Sequence, residues 1–131
     1  EPAATAPPVP TTTLDDGFDR RIVTDDVGSG MQTIALSSDH GRRRYDDRAI
    51  TVSSANSDTM SIHADDPLSA RLVTEYRWAI ASGDADTEAM AVTELTSDET
   101  HFNLSWRLEA RERGRLVHSA SATRRIRRDF A

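Results

Sequence analysis

The side chains best suited to chemistry in this 131-residue sequence are its serines, four histidines and four adjacent aspartate pairs. Serine, histidine and aspartate are the parts of an acyl-transfer triad. A triad serine of the hydrolase kind needs a sharp strand-to-helix turn to expose its Oγ, written G-x-S-x-G. No G-x-S-x-G occurs. Helix signals are almost missing too, so no helix N-terminus is available to build an oxyanion hole. No catalytic residue is assigned.

The aspartate pairs are Asp15 and Asp16, Asp25 and Asp26, Asp46 and Asp47, and Asp65 and Asp66. Calcium takes such oxygen ligands, but none of the pairs has the spacing of an EF-hand loop. Paired aspartates at hairpin ends are ordinary turn formers. His40, His63, His101 and His118 lie far apart, with no H-x-x-x-H pair, and there is no cysteine, which removes disulfides and thiolate metal sites. No metal or cofactor site is therefore expected.

Two other groups of residues carry chemistry of recognition. Tyr76, Trp78, Phe102 and Trp106 stand on two alternating segments; exposed, they would stack on a sugar ring, but aromatic alternation in a sheet is expected to mean core, where each large apolar side chain contributes about 1.5–3 kcal/mol. The runs Arg42-Arg43-Arg44 and Arg124-Arg125-Ile126-Arg127-Arg128 fit either a contact with a neighbouring domain or a solvated edge strand that uses charge against aggregation.

The elements that must position these groups are strands, announced by period-two alternation. Arg20 to Thr24 and Met31 to Ser37 are expected to form a hairpin through Val27–Gly30, with a turn at Asp39-His40-Gly41. Ile50 to Ser53 and Thr59 to His63 read as two short strands around a polar turn at 55–58. Asp65 to Ser69 is a tight turn. Four longer strands follow at Ala70 to Ala81, Thr87 to Thr96, His101 to Ala110 and Arg115 to Arg125. The Ala, Glu and Met content of Thr87 to Thr96 would also tolerate a helix; the flanking turns favour strand. Short turns force antiparallel neighbours, so the fold class is an all-β antiparallel meander. Long twisted strands are expected to close it into a barrel or sandwich.

Residues 1–13 hold four of the five prolines and suit an extended linker or strap; residues 14–131 form a single β domain of a size able to bury a core. Formal net charge is −6, and all 16 basic residues are arginine; an acidic chain is a poor nucleic-acid scaffold. No run approaches the ~20 apolar residues of a membrane helix. No nucleic-acid or membrane partner is expected, and a soluble chain is, with the compartment open and the cytoplasm favoured. The sequence opens at Glu1, as expected of a processed product or an excised piece.

An ordered set of segments resembles the CocE/NonD hydrolases of the peptidase S15 group. Ile62-His63-Ala64-Asp65-Asp66-Pro67-Leu68-Ser69-Ala70 is similar to their I-x-x-D-D-P-L-S-A. Leu95 to Leu104 is similar to M-T-S-D-x-x-H-F-x-V, and Leu108-Glu109-Ala110 with Gly114 to Val117 to L-x-A-x-x-G-x-x-V. Upstream, Glu1 to Leu14 and Arg20 to Asp25 are similar to the Pro-rich linker and its R-R-V-x-R-D continuation. Where the family has a tryptophan near the final strand and a D-W-x-x-R-V-E-T strand, this chain has Ser119-Ala120-Ser121 and Asp84 to Ala91. The resemblance implies the region beyond the jelly roll of an X-Pro dipeptidyl-peptidase-like serine hydrolase, whose triad lies in a part not present in this sequence. It implies an accessory domain that packs on the catalytic or jelly-roll domain, or on another subunit. The alternatives are an independent sandwich module for carbohydrate or another small ligand, and a lipocalin-like barrel.

Overall fold

In the computed structural model, which describes residues 7–129, every regular element is a strand: β1 (Thr11–Asp15), β2 (Phe18–Asp26), β3 (Met31–Tyr45), β4 (Ile50–His63), β5 (Asp66–Ser82), β6 (Ala85–Ser97), β7 (His101–Glu112) and β8 (Arg115–Arg127). They form one antiparallel sheet in the order β1-β3-β4-β5-β6-β7-β8, with β2 also paired to β3. The all-β meander expected from alternation is present, and Thr87 to Thr96 lies within strand β6. Its neighbours decide this: both sides of β6 are laddered, from Arg71↔Thr96 to Ser82↔Ala85 and from Thr87↔Glu112 to Ser97↔Phe102.

The turns are the tight ones that right-twisted strands prefer. Arg113 and Gly114 both have positive φ, 48° and 74°, as the β7–β8 connection requires. At the β2–β3 turn the Asp26 carboxylate accepts the Gly28 and Ser29 backbone N–H groups and the Ser29 hydroxyl. At the β4–β5 turn Asp66 is already paired with His63, and its Oδ1 accepts the Leu68 N–H at 2.9 Å, so the turn expected over Asp65 to Ser69 shrinks to Ala64 and Asp65 and the rest belongs to β5.

Two expected turns are not turns. The polar stretch 55–58 continues through β4 without a break, because both flanking strands supply its backbone with partners. Asp39-His40-Gly41 is a bulge inside β3, where the register with β4 shifts between Asp39 and Arg42. The bulge has a cause on the other side of β3. There β1 pairs with its C-terminal part and β2 with its N-terminal part, and the chain steps from one to the other at Asp16 and Gly17. Gly41, at φ 71°, sits against the Asp15 carbonyl and the Gly17 nitrogen, and Gly17 sits against the Asp39 carbonyl. Two backbones touch here with no room for a Cβ on either. Gly41 is also the single buried position among the described residues.

The strap boundary moves accordingly. Thr11 to Thr13 are the first half of β1, opposite Tyr45, Arg44 and Arg43. Residues 1–6 of the expected strap lie outside the described residues.

The sheet is not closed into a barrel. Strand contacts run only between hydrogen-bonded neighbours. Closure would pair β8 with the β1–β2 edge, and that edge is interrupted at Asp16 and Gly17, so β8 meets no continuous partner. A sandwich needs a second layer, and the described residues supply one layer.

The β6–β7 turn is organised by Asp98. Its Oδ1 accepts the Thr100 and His101 N–H groups, each at 2.8 Å, and its Oδ2 accepts Arg125 at 3.0 Å. The Thr100 amide, then Arg125 and the His101 amide, hold this carboxylate far below its ordinary range. Its contribution to stability is complete above the unfolded-state value near 3.9 and is lost as pH falls through the lower folded-state value. Asp98→Asn is expected to lower the urea midpoint at pH 6. The gap to wild type should close progressively below about pH 4, and a gap independent of pH would refute this account.

Candidate functional site

Side chains on a strand alternate between faces, and directly paired residues share one. Following the register from Val23 gives Ile34, Met60, Leu72, Leu95 and Leu104, an unbroken apolar row across β2 to β7. Rows further along the strands place Tyr76, Trp78, Phe102 and Trp106 on the same face. The opposite face is polar. It carries ion pairs, Arg71 with Glu94 at 2.7 Å and Arg77 with Glu88 at 2.6 Å across strands, and Arg111 with Glu109 at 2.9 Å along β7. The apolar face carries isolated charges instead, Arg21 and Asp58 in one register row and Arg124 at the end of the row from Val23.

The apolar face is uncovered. Among the described residues no apolar side chain is buried. Tyr76 is 41% exposed, Trp78 40%, Phe102 40% and Trp106 37%, so the expectation that these four form a core is corrected. The physical reason is architectural: a sheet buries a face only against another layer, and none is present. Seven strand positions at about 4.8 Å and about 12 residues at 3.3 Å give a face of roughly 1,300 Å², apolar and polar residues together. The largest apolar patch of an ordinary monomer is about 300–600 Å².

The face is also hollow. One depression of about 510 Å³ is lined from Val23 on β2, through Ile34, Met60, Leu72 and Leu95, to Phe102 on β7. Six successive strands can share a depression only if the sheet bends toward its apolar side. Twist accumulated over long strands produces such bending.

A polar island interrupts the face at its centre. Asp58 on β4 pairs with Thr74 on β5, which pairs with Thr93 on β6, and Asn56 lies two residues along from Asp58. Asp58 is half-buried. Sequence reasoning placed 55–58 in a turn and so missed it. The signal was there, in a charged residue at the in-facing phase of an otherwise apolar strand.

The residues singled out for chemistry are dispersed. Among the described residues no three His, Asp or Glu side chains converge as metal ligands. The aspartate pairs cap turns or hold strands: Asp15 pairs with Arg42, and Asp46 accepts Thr12 Oγ1 and Arg44 Nε. These contacts resolve part of the basic patches. Arg42 and Arg44 fasten β3 to β1 and to the turn after β3, Arg125 serves Asp98, and Arg128 donates to the Asp98 carbonyl while lying 5.3 Å from the Phe102 ring. His63 Nδ1 accepts the Asp65 amide, and His101 Nδ1 bonds Thr100 Oγ1.

No family model, curated protein or solved structure matches this chain. Among the described residues no helix is long and apolar enough to cross a membrane.

Proposed function

We propose that this chain is a non-catalytic accessory β domain that works by docking, its hollow apolar face covered by another folded surface. On the sequence resemblance, that surface belongs to the catalytic or jelly-roll domain of a CocE/NonD-like serine hydrolase, which would cleave acyl esters or amides. The observation that supports docking is the half-exposed apolar face beside one that carries cross-strand ion pairs. A standard stable interface takes about 800 Å² from each partner, and the face offers roughly that or more.

The test has two parts. The reading frame upstream of Glu1 should encode a G-x-S-x-G hydrolase; a stop codon there removes the hydrolase assignment. In the longer protein Trp78 and Trp106 should be shielded from acrylamide, while in the 131-residue chain they should be quenched. Equal quenching in both would end the docking proposal.

The exposure of Tyr76, Trp78 and Trp106 also favours a second reading, a carbohydrate-binding module that stacks sugar rings on this face. Titration with oligosaccharides, followed by tryptophan emission, separates the two. Saturable binding by the longer protein as well as by the chain would support the module over docking.

A further inference from the structure

We infer that the surface covering the face is an amphipathic α-helix carrying a basic side chain among its apolar positions, placed so that the cation pairs with Asp58. The inference rests on the docking proposal and names the chemistry of the partner. Three observations carry it.

The first is shape. The face is a trough, with one depression running from Val23 to Phe102 across six strands. A flat second sheet would bridge the trough and leave it empty. A second copy of this chain would bring another hollow face, and two hollows enclose a void instead of packing, at the cost that every unfilled contact carries. A helix is a convex rod of about 10–12 Å with its side chains. Its apolar stripe settles into the floor formed by Ile34, Met60, Leu72 and Leu95, as helices cover one face of antiparallel sheets generally.

The second is charge. Among the described residues the Asp58 carboxylate has no hydrogen-bond or ion-pair partner, whereas Arg71, Arg77 and Arg111 on the other face each hold a glutamate. It lies at the middle of the face, flanked in register by Leu36 and Thr74. A wholly apolar cover would strip water from this carboxylate and give nothing back, which is among the most unfavourable events in binding. A cover carrying lysine or arginine at that point replaces the lost water with a charge-assisted hydrogen bond.

The third is the composition of the island. Asn56, Thr74 and Thr93 adjoin Asp58 in the register. They supply further polar groups around a cation that reaches them from a helix in the depression, whose lining residues Met60 and Leu72 are the next in phase to Asp58 and Thr74.

The experiment uses the 131-residue chain and two synthetic helical peptides identical except at one position. Each has leucines at i, i+3, i+4 and i+7 spacing; one carries lysine at the centre of the apolar stripe and the other glutamate. Binding is read from the emission of Trp78 and Trp106. The lysine peptide should bind about tenfold or more tightly than the glutamate peptide, the scale of a desolvated charge pair against a like-charge clash. Asp58→Asn should shrink the preference to under about threefold, and Asp58→Arg should reverse it. The reversal keeps the test informative where a variant folds less well, since poor folding weakens both peptides alike. Affinities indifferent to the central charge overturn the cation, and failure of both peptides overturns the helix. A dimer of this chain that neither peptide dissociates also overturns it. In each of these cases, indoles still shielded in the longer protein leave docking standing; indoles accessible there remove docking itself.

Discussion

Leu72→Glu is expected to weaken association of this chain with the domain proposed to cover it, supplied as a separate protein, by about a hundredfold or more in calorimetry. Leu72 lies mid-row on the apolar face, between Met60 and Leu95, and lines the depression. A carboxylate there would be desolvated on docking, and its nearest ionisable neighbour on that face is the equally acidic Asp58. The same substitution on the polar face separates this effect from a general loss of stability. Thr59→Glu, opposite Ala35 and Val73, should change the association by less than about threefold, in the range of ordinary surface replacements. In the isolated chain both variants should unfold near the wild-type urea concentration, because Leu72 is already only half-buried. Equal weakening by the two substitutions would mean that the apolar face is not the docking face.

The division between what alternation revealed and what it concealed follows from what each signal measures. Period two identifies strands and singles out Tyr76, Trp78, Phe102 and Trp106, which the register brings to one side. It is silent on what covers that side. An in-facing tryptophan reads the same whether its second layer comes from its own chain or from another protein, so a core was expected where there is a face. The missing turn at 55–58 has a related origin. Asn, Ser and Asp favour turns when the backbone lacks partners, but β4 runs between β3 and β5 and is laddered on both sides. Local composition had no access to those neighbours.

The bulge at Gly41 was legible only as a punctuation mark. His40 and Gly41 after Asp39 look like the end of a hairpin, because a glycine at positive φ serves a turn and a bulge equally well. What distinguishes them is the other chain segment pressed on Gly41, and that contact spans from Gly41 back to Asp15 and Gly17. The two glycines are complementary: a Cβ on Gly17 would strike the Asp39 and His40 backbone, and one on Gly41 the backbone from Asp15 to Gly17.

That contact makes Gly41 the most sensitive backbone position in the sheet, and Gly83 the natural comparison. Both have positive φ, 71° and 54°. A Cβ added at Gly83 meets nothing within 4 Å, whereas one at Gly41 is driven into the Asp15 carbonyl and the Gly17 nitrogen. Gly83→Ala should therefore cost only the left-handed conformation, about 1 kcal/mol. Gly41→Ala carries that cost and also forces two backbones apart, for a total of roughly 3 kcal/mol or more. Against the 5–15 kcal/mol that holds a typical domain folded, this is a large fraction. The damage should be local first. Separating Asp15 from Gly41 breaks the ladder from Thr11↔Tyr45 to Asp15↔Arg42 together with the Arg42–Asp15 ion pair. Hydrogen exchange in Gly41→Ala should accelerate across Thr11 to Asp15 and Arg42 to Tyr45 before it does so in β6 and β7. Urea midpoints lowered by the same amount in the two variants would show that φ alone governs both sites and that the interlocked glycines bear no load.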